Sequence, residues 1–345
     1  MYKLPDINEH PSQLTPDWEL SRISLNRSSH ALARTLDQYY RKKDNPETLY
    51  LLYNDHHPTG KADSYRGHAK GVLVSDEDRG FWLMHSIPRF PHAEAYVFPD
   101  SATVFGQSLL CFSFFAKQTL AQIGELLMYS QPSLYASQLP VWASSDYPSI
   151  KLVSEKKSKR KAPFNESLTL ISAFGTRFRA FAKHRKWGKD LYAEAVAPGL
   201  ASSLYTQTWL NGPGDLPSVC ATDYPVVNLR SLKPGGIEFV NSKDHSKFAV
   251  SQSAKDGWLC VADINRQKSQ DDRGGAALCL QEPSVWRAYR TAADRLECCA
   301  GGMRAPSIQS SASSESIRTG CAAAAVPSLA GAFAAAWKIF QHIQL

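Results

Sequence analysis

Two histidine–lysine pairs recur about half a chain apart. The first is Gly67-His68-Ala69-Lys70-Gly71 and the second is Asp244-His245-Ser246-Lys247. In each copy an apolar run follows, then a polar turn, then a Gly–aromatic pair that begins twelve residues after the histidine: Gly80-Phe81-Trp82-Leu83 and Gly257-Trp258-Leu259-Cys260. On a strand, side chains at i and i+2 point to one face. A lysine beside a histidine can hold the non-bridging oxygens of a phosphate, while the imidazole acts as nucleophile, base or acid near neutral pH. Two such pairs facing each other could perform an in-line displacement at phosphorus without a metal. One histidine attacks, the other protonates the leaving oxygen, and water then hydrolyses the phosphohistidine.

The elements that must carry these pairs are legible as short apolar runs. Thr48–Asn54, Gly71–Ser75, Gly80–Ser86 and Leu109–Phe115 read as strands, the second and third joined by the turn-rich Asp76–Arg79. Ser29–Lys42 places Leu32, Leu36, Tyr39 and Tyr40 at helical spacing, and Gln118–Met128 places Leu120, Ile123, Leu126 and Leu127 on one stripe. Phe174–Lys183 and Lys189–Ala197 also read as helices. Repeated strand–turn–strand units at this spacing predict a duplicated α/β half, each half giving one His-x-Lys to a shared site.

The 345 residues are 43% hydrophobic and 21% charged, which excludes a disordered chain, a collagen and a coiled coil. A net charge of +7 fits a polyanionic partner without naming one, and ten histidines would make the chain more basic in acid. The basic stretch Lys151–Ala162 reads as an exposed loop at a boundary between lobes. It is either a solvated charge run or a contact with a DNA backbone, and Lys183, Arg185, Lys186 and Lys189 are further phosphate candidates. Six of seven cysteines lie beyond residue 219, with no paired Cys-x-x-Cys of a zinc knuckle. Asn26 and Asn165 head Asn-x-Ser sequons. Clustered cysteines and sequons point to a lumenal or secreted protein, yet the first residues carry neither a basic n-region nor an apolar h-region. From residue 300 the chain turns Ser- and Ala-rich, and a tail outside the folded domain is expected there; its apolar run is too short and weak for a membrane span.

The two-copy His-x-Lys arrangement resembles the phospholipase D superfamily, and the surrounding sequence resembles the deoxyribonuclease II family. The likeness rests on Leu52-Tyr53-Asn54-Asp55, Gly67–Gly71, Gly80-Phe81-Trp82-Leu83-Met84-His85-Ser86-Ile87-Pro88, Leu216–Cys220, Asp244–Lys247 and Asp263-Ile264-Asn265-Arg266, among stretches spread from residue 2 to about 299. It implies a phospholipase D-like α/β fold over residues 1–299. Its two pseudo-symmetric halves, about 1–150 and 163–299, would each be a sheet flanked by helices, with one active-site cleft between them. It implies an acid endonuclease that cuts double-stranded DNA without sequence preference, needs no metal or other cofactor, and leaves 3′-phosphate and 5′-hydroxyl ends in the lysosome. His68 is the implied nucleophile and His245 the implied acid. Lys70 and Lys247 would bind the scissile phosphate, His85 would be a further active-site histidine, and Asn265 its counterpart in the second half. Implied disulfides are Cys260–Cys279 and Cys220 with Cys298 or Cys299, and Asn26 and Asn165 would carry glycans.

The chain departs from the pattern in places. The superfamily's Asp seven residues after the histidine is replaced by Ser75 and Gln252, with Asp76 one step late in the first copy. Phe248-Ala249 stands where the family has Trp-Cys. The family also has a leader, a cysteine and a strand before the Tyr2-Lys3-Leu4-Pro5 segment. Cys111 would pair with that cysteine, so a start lacking the first exon is expected. Two other readings stay open: a non-catalytic nucleic-acid-binding relative, and another phosphodiesterase of the superfamily. Oligomeric state leaves no mark on the sequence.

Overall fold

The apolar runs of the first half assemble into a six-stranded antiparallel sheet. From edge to edge it runs β1 (Tyr2–Lys3), β5 (Gln107–Phe115), β4 (Arg79–His85), β3 (Lys70–Ser75), β2 (Leu49–Asn54) and β6 (Leu134–Gln138). These elements come from a computed structural model that describes residues 1–4, 18, 19, 21–299, 318 and 319. The second sheet runs β7 (Asn165–Ile171), β8 (Arg177–Lys183), β14 (Gly275–Gln281), β13 (Trp258–Ala262), β12 (Phe248–Ser251), β9 (Leu204–Gln207), β10 (Val226–Leu232), β15 (Ala293–Leu296) and β16 (Arg318–Thr319). A short β11 (Phe239–Val240) pairs with β10 on the side. The helices are α1 (Ala31–Lys42), α2 (Ala116–Ser130), α3 (Val141–Asp146), α4 (Pro148–Ser154), α5 (Ala197–Leu200), α6 (Lys268–Asp271) and α7 (Pro283–Ala292).

A topological repeat underlies the sequence repeat. The antiparallel run β2–β3–β4–β5 followed by α2 recurs as β9–β12–β13–β14 followed by α7. Both sheets are buried on both faces. Helix α1 covers one face of the first sheet, setting Leu32, Leu36 and Tyr39 against Leu52, Val72 and Leu83. Helix α2 fills the space on the other face, where Leu120, Ile123 and Leu127 share one core with Leu51, Leu73 and Trp82 of the first sheet and Phe178, Ala180 and Leu278 of the second. The two halves therefore share one continuous core. Helix α7 packs beside β12 and β13 through Tyr289, and a π-helical turn at Tyr192–Val196 with α5 covers the opposite face.

Several expectations change here. Phe174–Lys183 is not a helix: Phe178, Ala180 and Ala182 face the α2 core while Phe181 faces the π-helical turn. That two-residue alternation is a strand buried on both sides, which apolar spacing alone confuses with a helix. The basic stretch begins as α4 and becomes irregular only after Ser154. Lys189–Ala197 becomes helical only from Tyr192. The expected tail lies outside the described residues, apart from Arg318–Thr319, which pair in parallel with β15. Cys260 and Cys279 face each other across β13 and β14 and are joined. Cys220 pairs with Cys299, so of the two candidates Cys298 is not its partner. Cys111 is a free thiol. No helix among the described residues is long and apolar enough to cross a membrane.

Candidate active site

Each histidine motif is tied to the opposite half through its backbone. His68 donates its N–H to the carbonyl of Gly274, just before β14, at 2.9 Å. His245 donates its N–H to the carbonyl of Gly106, just before β5, at 2.8 Å. The two bonds occupy equivalent places in the topological repeat, one residue before β5 and one before β14. Neither glycine has room for a side chain: a Cβ on Gly106 would strike the Asp244 carboxylate, and one on Gly274 would strike the Ser130 carbonyl. Both histidines lie just ahead of a strand rather than on it, since β3 begins at Lys70 and β12 at Phe248. They remain partly open to solvent, while Lys70 and Lys247 are buried. The charge on Lys70 acts on His68, His85, His245, Asp263 and Lys247 alike, so the motifs of the two halves meet in one cluster.

The halves differ in what holds each lysine. In the first, Lys70 Nζ donates to Asp55 Oδ1 at 2.5 Å, and Arg273 reaches across from the second half to Asp55 Oδ2 at 3.1 Å. Arg273 also donates to the carbonyls of Asp63, Arg66 and Gly67, binding the loop that leads to His68. Burial works to raise the Asp55 pKa, but Lys70, His68 and Arg273 overrule it and hold the carboxyl well below its usual range. In the second half, Lys247 Nζ donates to the His245 carbonyl at 2.7 Å and lies 5.8 Å from the centre of the Trp209 ring. Burial, helped by Lys70, pushes the Lys247 pKa down to about 7.

His68 Nδ1 lies 2.5 Å from the carbonyl oxygen of Asp263. A carbonyl only accepts, so Nδ1 carries the proton and the Nε2 lone pair is free. That Nε2 is 3.8 Å from Asp55 Oδ2, too far for a hydrogen bond. Burial, then Lys70, holds the His68 pKa well below the ordinary imidazole value. His245 is stacked on Phe105, ring centres 4.0 Å apart, with Trp209 edge-on at 4.2 Å. Burial and the two lysines push its pKa down to about 2, and its Nε2 has no partner among the described residues. His85 accepts the Ile87 N–H at Nδ1, so its proton sits on the unpartnered Nε2. Burial, then Lys70, takes its pKa to about 3.

Asp263 is the second-half equivalent of Ser86. Ser86 exchanges two bonds with Ser108, using its backbone N–H and its hydroxyl. Asp263 does the same with Ala276, its Oδ1 accepting the Ala276 N–H at 2.7 Å. Burial raises the Asp263 pKa to about 7. Among the described residues no three His, Cys, Asp or Glu side chains are grouped to hold a metal ion.

A family model described as Deoxyribonuclease II matches residues 8–299. The chain belongs to the deoxyribonuclease II family. It is 36% identical to Deoxyribonuclease-2-alpha of Mus musculus over 85% of both chains. It is 38% identical to Plancitoxin-1 of Acanthaster planci, over 87% of this chain and 88% of that one. With Cell-death-related nuclease 7 of Caenorhabditis elegans it shares 35% identity, over 82% of this chain and 77% of the relative. The expected phospholipase D-like α/β fold of two related halves is the one observed.

Of the residues singled out from sequence, His68, Lys70, His85, His245 and Lys247 converge. Asn265 does not occupy the place of His85. Register sets His85 opposite Lys70 and, by the same step, Ala262 opposite Lys247. Asn265 lies three residues further on, buried, with Oδ1 unpartnered among the described residues. Lys183 is withdrawn from the phosphate candidates, because its buried ammonium is held by the carbonyls of Lys189, Gln270 and Asp271. Reading for reactive side chains missed Asp55, Arg273, Asp263, Phe105 and Trp209. Asp55 and Asp263 lay within the stretches resembling the family but were given no role there; Phe105, Trp209 and Arg273 carried no local signal.

Proposed function

We propose that this member of the deoxyribonuclease II family is an acid endonuclease that hydrolyses DNA through a phosphohistidine on His68 and needs no metal ion. The observation carrying the proposal is the reciprocal pair of backbone bonds, His68 to Gly274 and His245 to Gly106, which present one His-x-Lys from each half to a shared cluster.

His68 Nε2 attacks phosphorus while the bond from phosphorus to the 5′ oxygen breaks. That oxygen keeps the bonding pair and takes a proton from His245. Neutral His245 then removes a proton from water as the hydroxide displaces His68 Nε2, which recovers its lone pair. The ends are a 3′-phosphate and a 5′-hydroxyl. Lys70, Lys247 and the His85 Nε2–H face the non-bridging oxygens, whose charge they oppose.

His245 is neutral in the free site because it shares a buried space with two cations. A bound phosphodiester supplies the missing negative charge and raises the imidazole pKa, so the acid loads with substrate, and more readily at acidic pH. Lys247, titrating near 7, keeps its charge in the same range. Gripping phosphates rather than base edges gives cutting of duplex DNA without sequence preference. An acidic lumen such as the lysosome suits this chemistry. Two disulfides and the exposed Asn26 sequon support it, and Asn165, on the edge strand β7, is the second glycan candidate.

Plasmid nicking at acidic pH with EDTA present tests the reading. The full chain should nick, His68→Ala should not, and His245→Ala should nick about 10²–10⁴-fold more slowly. Nicking that survives His68→Ala, an undiminished rate in His245→Ala, or a requirement for added metal overturns the mechanism.

A further inference from the structure

Three segments far apart in sequence meet beside the loop that leads into His68. Gln131 ends α2 in the left-handed conformation, φ 54°. Its carbonyl accepts the Gly67 N–H, its Nε2 donates to Ser158 Oγ at 3.1 Å, and its Oε1 accepts the Arg185 N–H at 3.4 Å. Arg66, two residues before His68, donates to the Lys156 carbonyl at 3.1 Å. One glutamine and one arginine thus anchor the basic loop after α4 and the basic turn after β8 to the approach of the first histidine.

Cations dominate the resulting surface. Lys157, Arg160, Lys161 and Lys186 are exposed. Neither they nor Arg185 make an ion pair among the described residues, whereas Lys159 is taken by Glu125 and Lys189 by Glu194. Two are held over aromatic rings. The Arg185 guanidinium lies 3.8 Å from the centre of the exposed Tyr65 ring, and Lys186 Nζ 5.5 Å from that of Phe164. A guanidinium stacked on a ring keeps its N–H edge free for a phosphate and loses little freedom on binding. Tyr65 is three residues from His68, which places it within at most about 10 Å along the chain, or about three base-pair rises of duplex.

We propose that Tyr65, Lys157, Arg160, Lys161, Arg185 and Lys186 form a basic ridge that grips the DNA backbone on one side of the cleavage point. The inference rests on the proposed reading of the chain as a deoxyribonuclease. The ridge extends the grip beyond the scissile phosphate, and duplex too short to span it binds without its help.

The test is the salt dependence of duplex binding by the full chain at neutral pH, followed by fluorescence anisotropy from about 50 to 200 mM salt. Lys157→Ala/Arg160→Ala/Lys161→Ala should flatten the plot of log affinity against log salt by about 0.9 for each phosphate left without its cation, and Arg185→Ala by about 1. These side chains are not in the core, so folding is checked by an unchanged thermal midpoint. Arg34→Ala/Arg41→Ala/Lys42→Ala removes equal charge from α1, which covers the far face of the first sheet, and should keep the parent slope. The ridge is overturned if its triple variant keeps the parent slope, or if the α1 variant loses as much. A parent that binds steeply but nicks no plasmid would overturn the proposed function and leave the ridge standing.

Discussion

Asp55 and Trp209 stand at the same register position in the two halves. Asn54 pairs with Lys70, which sets Asp55 opposite Ala69; Gln207 pairs with Phe248, and two steps on Trp209 falls opposite Ser246. A buried carboxylate in one half therefore answers to an indole in the other. The histidines inherit the difference. Positive charge develops on a histidine that attacks phosphorus, and the Asp55 carboxylate 3.8 Å from His68 Nε2 favours it. His245, packed between Phe105 and Trp209, holds a proton weakly and passes it on readily. In the proposed mechanism this one broken symmetry separates the nucleophile from the acid.

Replacing Asp55 by Asn strands two buried cations, Lys70 and Arg273. The expected cost is about 3–5 kcal/mol, read as the loss in urea unfolding free energy at pH 7. The pH dependence follows from the lowered carboxyl pKa. The stabilisation is complete above the unfolded value near 3.8 and is lost as pH falls toward the folded one. Parent and Asp55→Asn should differ fully at pH 5 and converge only well below pH 4, so the cluster stays intact at the acidic pH of the proposed activity.

The division of roles predicts a leaving-group effect. His245→Ala should slow DNA cleavage about 10²–10⁴-fold, because the 5′ oxygen is a poor leaving group without a proton. A p-nitrophenyl phosphodiester, whose phenolate leaves unprotonated, should show a much smaller defect in the burst of nitrophenol. His68→Ala should abolish reaction with both substrates. Equal defects for the two variants on the activated substrate would contradict the assignment.

Asp263 makes the opposite pH prediction to Asp55. Its folded pKa is raised to about 7, so between 3.8 and 7 the folded state keeps a proton that the unfolded chain has released. Its contribution is present at low pH and is lost as pH rises to 7, at up to about 1.4 kcal/mol per pH unit. Asp263→Asn keeps an oxygen for the Ala276 N–H and removes the titration. The variant should gain on the parent in thermal midpoint as pH goes from 5 to 8. The neutral Ser86 at the equivalent place in the first half shows that a charge is not needed there.

The repeated His-x-Lys and the Gly–aromatic pair after it carried the site's main residues and the two-half fold, because both depend on short-range spacing. What escaped depends on the tertiary structure. Arg273 reaches Asp55 only across the joint between halves, and Phe105 meets His245 only because Gly106 bonds to it. Phe174–Lys183 misled because β8 buries Phe178, Ala180 and Ala182 on one face and Phe181 on the other, so its apolar residues lack the strict alternation of a half-exposed strand. Lys183 looked like a phosphate ligand until three carbonyls enclosed it.

The first strand reaches His245 from the other end of the chain. Tyr2 donates to Asp244 Oδ2 at 2.6 Å, and that carboxylate also takes the backbone N–H and hydroxyl of Ser246. Lys3 Nζ donates to the carbonyls of Thr103 and Phe105, fixing the loop whose phenyl ring stacks on His245. Tyr2→Phe leaves the ring contacts and removes one bond to a buried carboxylate, a cost of about 1–3 kcal/mol in stability. If β1 also positions the acid, Tyr2→Phe should lower kcat on DNA more than on the p-nitrophenyl diester, with KM little changed. A purely structural strand would lower both substrates' rates together, in step with the fraction of chain folded at the assay temperature.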